Sequence, residues 1–380
     1  MMDVKTKEEL RRPLGVIGSL TAGFEMLGRH LSLITLPVLI DLLLWLGPRI
    51  SIGPLVEQFA AFLTSRSAPD PAMVGQITQA AQLLEEFGER SNLLALLSAL
   101  PLLNAPSLLA QHAPGMSSPL GEPLVMLTNS VLVMIAWAVV LMPIGLVLGF
   151  LYLNGMARWV RAMHPQDDEA DAVSPSTPAG VNADGGPSEV EESVLSADDP
   201  SVVEGSAPGE RGRGGEFLGA DSGPGKLIRV LLFGAGLLTA GMMLLPVWML
   251  LVGAIVAIAP TLGVLVWSLS IGLSSYVLLH LLFVVPGVLV GGRGLLRSIW
   301  ESVLLIHTQF PAVLGLLLLV VVIDQGLGFV WSLPSGDSWS LLVGIVGNGC
   351  IATGLTAALF IFYQERVGQL FISRRASMKS

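Results

Sequence analysis

One cysteine, Cys350, stands among 380 residues, so no disulfide can close within the chain. Without a Cys/His cluster there is also no framework for zinc or an iron–sulfur centre. Charge is equally scarce: 13% of residues are charged, where an ordinary soluble domain has about a quarter. Aromatic residues make up only 6%, while 52% are hydrophobic and the mean hydropathy is +0.72. That balance excludes an ordinary water-soluble domain and is the composition of a membrane protein. Catalytic motifs are missing too. There is no phosphate-cradling glycine loop with its lysine, no His-Glu-x-x-His helix and no Gly-x-Ser-x-Gly turn. Ser107 and His112 lie close together, but no acid stands at a spacing that would orient the histidine, so hydrolase chemistry is set aside. The expectation is a protein that is not an enzyme and needs no cofactor. Its basic residues are scattered and leave no nucleic-acid footprint.

The formal net charge of -9 misleads about partners. Residues 164–225 hold 14 acidic and two basic side chains, a local charge of -12 that leaves +3 for everything else. The same stretch is rich in Gly, Pro, Ser and Ala and has almost no clustered apolar residues. It cannot bury enough surface to offset the entropy of ordering. It reads as a disordered acidic linker between an N-terminal membrane part, 1–163, and a C-terminal one, 226–380.

A helix that crosses hydrocarbon needs about 20 mostly apolar residues with every backbone group satisfied internally. Six runs meet that requirement: 31–46, 124–153, 227–259, 262–289, 311–333 and 339–363. The third and fourth touch at Ala259-Pro260-Thr261 and form a tight hairpin. Two spans therefore precede the linker and four follow it. The fold class expected is an all-α polytopic bundle with interfacial amphipathic helices.

Lysine and arginine set the orientation, because cytoplasmic flanks carry their excess. With both termini cytoplasmic, the inner side collects 17 of them, including Arg158, Arg161, Arg229, Arg293, Arg297 and Arg366, and the outer side keeps Arg49, Arg66 and Arg90. The expected location is the plasma (inner) membrane, with the lipid bilayer as first partner and a membrane-protein partner or second copy as further candidates. Met1 to Arg12 is too charged to open a cleavable signal peptide, so the first span is expected to act as an uncleaved anchor.

Residues 48–122 form the large external segment. Ile52, Leu55, Val56, Phe59 and Phe62 recur at helical spacing. Asp70-Pro71 reads as a cap and first turn, opening a second amphipathic helix through Met73, Ile77, Ala81, Leu84 and Phe87. The apolar stretch 93–110 contains Pro101, Asn104 and Pro106 and reads as an element lying on the bundle or dipping into the interface. A span there would place Arg158 and Arg161 on the wrong side.

Two spans follow an amphipathic elbow expected to lie in the interface. Phe24-Glu25 and His30 precede the first span, Trp300-Glu301 and His307 the fifth, and each span then carries Ile-Asp, at Asp41 and Asp324. The Glu-to-Asp separations are 16 and 23 residues, differing by about two helical turns. The text FVVPGVLVGGRGLLRSIWES and the ending LFIFYQER at 359–366 resemble the membrane domain associated with glycerophosphoryl diester phosphodiesterases and related six-span bacterial proteins. In that family the phosphodiesterase chemistry belongs to a separate soluble barrel. The resemblance therefore implies a membrane architecture and no activity.

Ionisable groups in hydrocarbon cost on the order of a few kcal/mol, so each needs an explanation. Asp41 and Asp324 stand about ten and about thirteen residues into their spans, at mid-depth or in the outer half. Asn348 reaches a similar level from the other direction, so Asp41, Asp324, Gln325 and Asn348 form the candidate intramembrane polar site. It is either a place for a proton, cation or polar head group, or a set of hydrogen bonds that fixes packing. His280 is expected to find a carbonyl, with no second ligand at metal spacing. Gly236 and Ala240, Gly287 and Gly291, and Gly344, Gly347, Gly349 and Gly354 allow close helix contact. Pro143, Pro246 and Pro286 permit kinks.

Overall fold

The computed structural model describes residues 15–65, 71–112, 117–163 and 223–377. Asp70, read as a helix cap, and the acidic stretch up to residue 222 lie outside the described residues.

Helix α1 (Val16–Arg29) ends at His30, whose N–H bonds to Met26 O and Leu27 O at 3.1 and 3.0 Å. A 3-10 turn, Leu31–Ile34, leads into α2 (Thr35–Leu46), and the chain bends by 94° between the two helices. The His30 ring, stacked 3.5 Å from the Trp159 ring, occupies the corner. The elbow expected before the first span is therefore a real bend.

Strand β1 (Arg49–Ser51) follows, then the helical hairpin α3 (Gly53–Ser65) and α4 (Pro71–Arg90). A second 3-10 turn, Leu93–Ser98, and the short α5 (Leu108–Gln111) carry the chain to β2 (Val125–Leu127). The strands pair in parallel, with Arg49 N on Leu124 O at 2.8 Å and Thr128 N on Ser51 O at 2.9 Å. This corrects the expected start of the second span. An apolar run does not by itself say which backbone partner it will find, and residues 124–128 find β1 across the chain. The long helix α6 (Val131–Met163) begins only after them.

Helices α7 (Gly223–Ile258) and α8 (Pro260–Leu281) make the expected hairpin. Ala259 is extended, and Pro260 opens α8, where its missing N–H costs nothing. Short α9 (Val284–Leu289) precedes α10 (Leu295–Trp331). Inside α10, Gln309 leaves helical geometry (φ -124°, ψ 26°) just before Pro311, whose ring crowds the preceding turn and separates elbow from span. The last helix is α11 (Leu341–Ser377).

Among the described residues, five helices are long and apolar enough to cross a membrane, and six segments are if the bent pair α1–α2 makes one span. The apolar helices are compatible with an integral membrane protein. Helix α11 is the central post: 67% of its most apolar window is buried, against 17–22% for the other four. It crosses α1 very closely. A side chain at Gly23 would stand 2.5 Å from Gly354 O and 2.7 Å from Ala358 N, so only glycine allows that approach. Tyr152 Oη donates to Thr353 Oγ1 at 3.1 Å and ties α6 to the same post. Trp45 Nε1 donates to Gly336 O at 2.7 Å and fastens the end of α2 to the α10–α11 loop.

Residues 93–111 go deeper than an element resting on the surface. Leu103, Ala105 and Leu108 are fully buried. A side chain at Gly145 would meet Leu97 O at 2.6 Å, and one at Gly149 would collide with Leu103 O. Those glycines lie halfway along α6, so this stretch of short helical turns and irregular backbone enters the bundle to its middle without crossing it. Buried irregular backbone is tolerated where protein surrounds it and its polar groups are satisfied. Ser98 Oγ donates to Ala105 O at 2.6 Å and Asn104 Nδ2 to Ser98 O at 3.1 Å. Gly149→Val is expected to cost about 3 kcal/mol through overpacking against a backbone that cannot swing away. The thermal unfolding midpoint in detergent checks it; an unchanged midpoint would show that residues 93–111 do not hold this position.

Candidate functional site

Asp41 is the most completely buried acidic side chain described, with no exposed surface. It faces inward because α2 puts it on the stripe with Pro37, Ile40, Leu44 and Trp45. Opposite lies Ser107, the N-cap of α5, which follows the helix-breaking Pro106. Ser107 Oγ donates to Asp41 Oδ1 at 2.5 Å, Leu108 N to Oδ2 at 3.0 Å and Leu109 N to Oδ1 at 3.1 Å. Ser107 Oγ in turn accepts from Ala110 N at 3.1 Å. One carboxylate thereby satisfies backbone N–H groups of the first helical turn, which have no partner within the helix. Such charge-assisted bonds are about twice as strong as neutral ones.

The four candidate residues do not gather. Asp41 is bonded to none of the other three. Asp324 is half-buried on α10, within electrostatic reach of the His112 imidazole. Gln325 is exposed, as helix geometry requires, since neighbours on a helix point about 100° apart. Asn348 is buried on α11, and its neighbour Gly349 faces Ile34, Pro37 and Val38. The expected single cluster is thus two places, Asp41 with the 107–109 turn and Asp324 with His112.

His112 was missed as a partner because nothing in linear spacing brings residue 112 to residue 324. Its ring lies against α10 where Gly328 leaves room, 2.6 Å from where a side chain there would begin. Both of its ring nitrogens are shut off from solvent with no hydrogen-bond partner among the described residues. Ser107 gives its proton to Asp41 and not to His112, so no nucleophile–base pair exists there.

A third polar group joins the elbow of α10 to α11. Glu301, 9% exposed at its side chain, pairs with Arg293 Nη1 and, at 3.1 Å, with Arg297 Nε, and Tyr363 Oη donates to it at 3.4 Å. The Arg297–Glu301 pair was legible from its four-residue spacing on a helix; Arg293 and Tyr363 were not. The two elbows also differ in facing. Glu25 is exposed and Phe24 lies against Gly354, whereas Glu301 is buried and Trp300 is exposed.

His280 Nδ1 lies 2.8 Å from Tyr276 O, the carbonyl contact expected, and its ring tilts against His307 at 5.3 Å. Among the described residues no three His, Cys, Asp or Glu side chains approach as metal ligands would. Comparison with known proteins returns no significant match to a family model, a curated protein or a solved structure.

Proposed function

We propose that this chain is a non-enzymatic plasma-membrane protein of the lipid-handling or complex-scaffolding kind, with six spans, both termini and the acidic segment cytoplasmic, and residues 48–122 external. The single observation behind the reading is the state of Asp41. A carboxylate that carries ions must exchange its partners, whereas this one is held by three donors from Ser107, Leu108 and Leu109. Its role is to latch the inserted segment to the bundle.

Thiol labelling tests this in cells. With Cys350 replaced by alanine, single cysteines at Ser65, Asp324, Asn348 and Ser206 are exposed to an impermeant reagent. The Ser65 position alone is expected to react. Reaction at Ser206 would invert the topology, and reaction at Asp324 and Asn348 would reveal a water-filled path and defeat the structural reading.

The second reading is proton- or cation-coupled transport, and the Asp324–His112 pair favours it. Two buried ring nitrogens without partners among the described residues, beside a half-buried carboxylate, are a place where a proton can be taken and released. On that reading Asp324→Asn and His112→Gln each abolish uptake at normal expression, while Asp41→Asn lowers expression instead. Equal flux in all three variants and the parent would remove transport.

A further inference from the structure

The sheet of β1 and β2 is finished on one side only. Arg49 N donates to Leu124 O and Thr128 N to Ser51 O, in a parallel register that sets Arg49 beside Val125 and Ser51 beside Leu127. Along such a ladder, alternate residues of a strand bond to the neighbour. Residues 124, 126 and 128 therefore turn their bonding groups toward β1, and Val125 and Leu127 point N–H and C=O the other way. The outer edge of β1 is closed by side chains, because Asn92 Oδ1 accepts from Ile50 N at 3.3 Å and Ser91 Oγ from Ile52 N at 3.2 Å. The outer edge of β2 has no such cover: no hydrogen bond reaches it among the described residues.

An open strand edge asks for another strand, and proteins that must avoid one guard the edge with a lysine, an inward charge, a bulge, a proline or a very short strand. Here the guard is thin. Pro123 stands at the entry to β2, but no charged residue lies between it and Ala157. The side chains are as bare as the backbone, with Leu124 82% exposed and Val125, Met126 and Leu127 at 50, 50 and 62%. Only Thr128, Asn129 and Ser130 separate the strand from α6, one of the helices apolar enough to cross a membrane. On the six-span reading the edge stands at the border of the bilayer, where water is a poorer substitute for a backbone partner. The edge is also its own complement. Two facing residues of an antiparallel pair exchange both hydrogen bonds, and the next pair exchanges none. About a two-fold axis through Met126, Val125 of each copy faces Leu127 of the other, so every outward N–H meets an outward C=O. The partial charges match and no full charges collide, since Glu122 would face Ser130 of the second copy and not its own counterpart.

We propose that the open edge of β2 pairs antiparallel with the same edge of a second copy of this chain, extending the sheet across a two-fold axis at Met126. The inference goes beyond the proposed function, because a scaffold and a transporter would both accommodate such a dimer. Its failure would leave the topology and the Asp41 latch untouched.

Oxidative crosslinking in native membranes tests the axis, using the full chain with Cys350→Ala. Facing residues of a non-hydrogen-bonded antiparallel pair stand about 4.5 Å apart at Cα, within disulfide range. Met126→Cys is expected to close into a covalent dimer. Val125→Cys and Leu127→Cys are each expected to stay monomeric alone and to join when co-expressed, because each faces the other. Light scattering of the purified chain in detergent supplies the second readout, with the parent as a dimer. Leu127→Pro removes one outward N–H from each copy, so the dimer loses two hydrogen bonds and should weaken by about tenfold. That N–H bonds nothing within its own copy, so the unfolding midpoint of the dilute monomer is expected to match the parent, whereas Met126→Pro breaks the ladder to β1 and lowers it. A parent that stays monomeric, equal crosslinking at all three positions, a dimer indifferent to Leu127→Pro, or crosslinks to a protein of another mass would each overturn the proposal. The last would mean that a strand from a different chain completes the sheet.

Discussion

Asp41→Ala is expected to lower stability by about 3–5 kcal/mol, the cost of leaving buried donors without their charged acceptor. Three donors lose it together, Ser107 Oγ and the N–H groups of Leu108 and Leu109. Residues 97–109, which pack Leu97, Leu103 and Leu108 into the bundle, would lose their tie to α2. The readouts are the midpoint of tryptophan-fluorescence unfolding in detergent and the rate of protease cleavage within 93–112. Asp41→Asn keeps one acceptor oxygen and turns an NH2 toward the remaining donors, so about half the loss is expected. A parent-like midpoint in the alanine variant would show that the latch carries no load and would reopen a transport role for Asp41.

The second large effect is expected at the other end of the bundle. Glu301→Ala removes the acceptor shared by Arg293, Arg297 and Tyr363, so Arg293, 17% exposed at its side chain, loses that carboxylate. Breaking a buried pair from one side costs about 3–5 kcal/mol. The Arg297 share is discounted because that side chain faces the surroundings, which leaves a net loss of about 2–4 kcal/mol. Salt separates the two contributions, since it screens exposed charges far more than buried ones. The midpoint difference between parent and variant should fall only slightly from low to high salt. A difference that vanishes at high salt would make Glu301 a surface charge, contrary to its burial.

The elbows illustrate how far linear pattern reaches. The amphipathic text before the first and fifth spans announced two corners, and the 94° bend at His30 and the break at Gln309 are there. The pattern also paired Phe24-Glu25 with Trp300-Glu301, and there it stopped. Which of two adjacent residues faces the protein depends on the neighbour that arrives, and α11 brings Gly354 to Phe24 but Tyr363 to Glu301. The polar site behaves likewise. Depth along a helix placed Asp41, Asp324 and Asn348 at similar levels, but depth fixes only one coordinate of three, and azimuth about each helix axis separates them.

Composition and periodicity by themselves determined that the chain is helical and apolar, where its long helices lie, where Pro260 and Pro311 interrupt them, and that its net negative charge comes from one stretch. These are local properties, carried by backbone hydrogen bonding within a helix and by the side chains of consecutive turns. Only the tertiary structure decided that residues 124–128 pair with a strand, that residues 93–111 enter the bundle beside Gly145 and Gly149, and that Asp41 latches the 107–109 turn. Each of these joins groups far apart in the chain, and such contacts are selected by shape and by the need to satisfy buried polar groups, which no local pattern encodes.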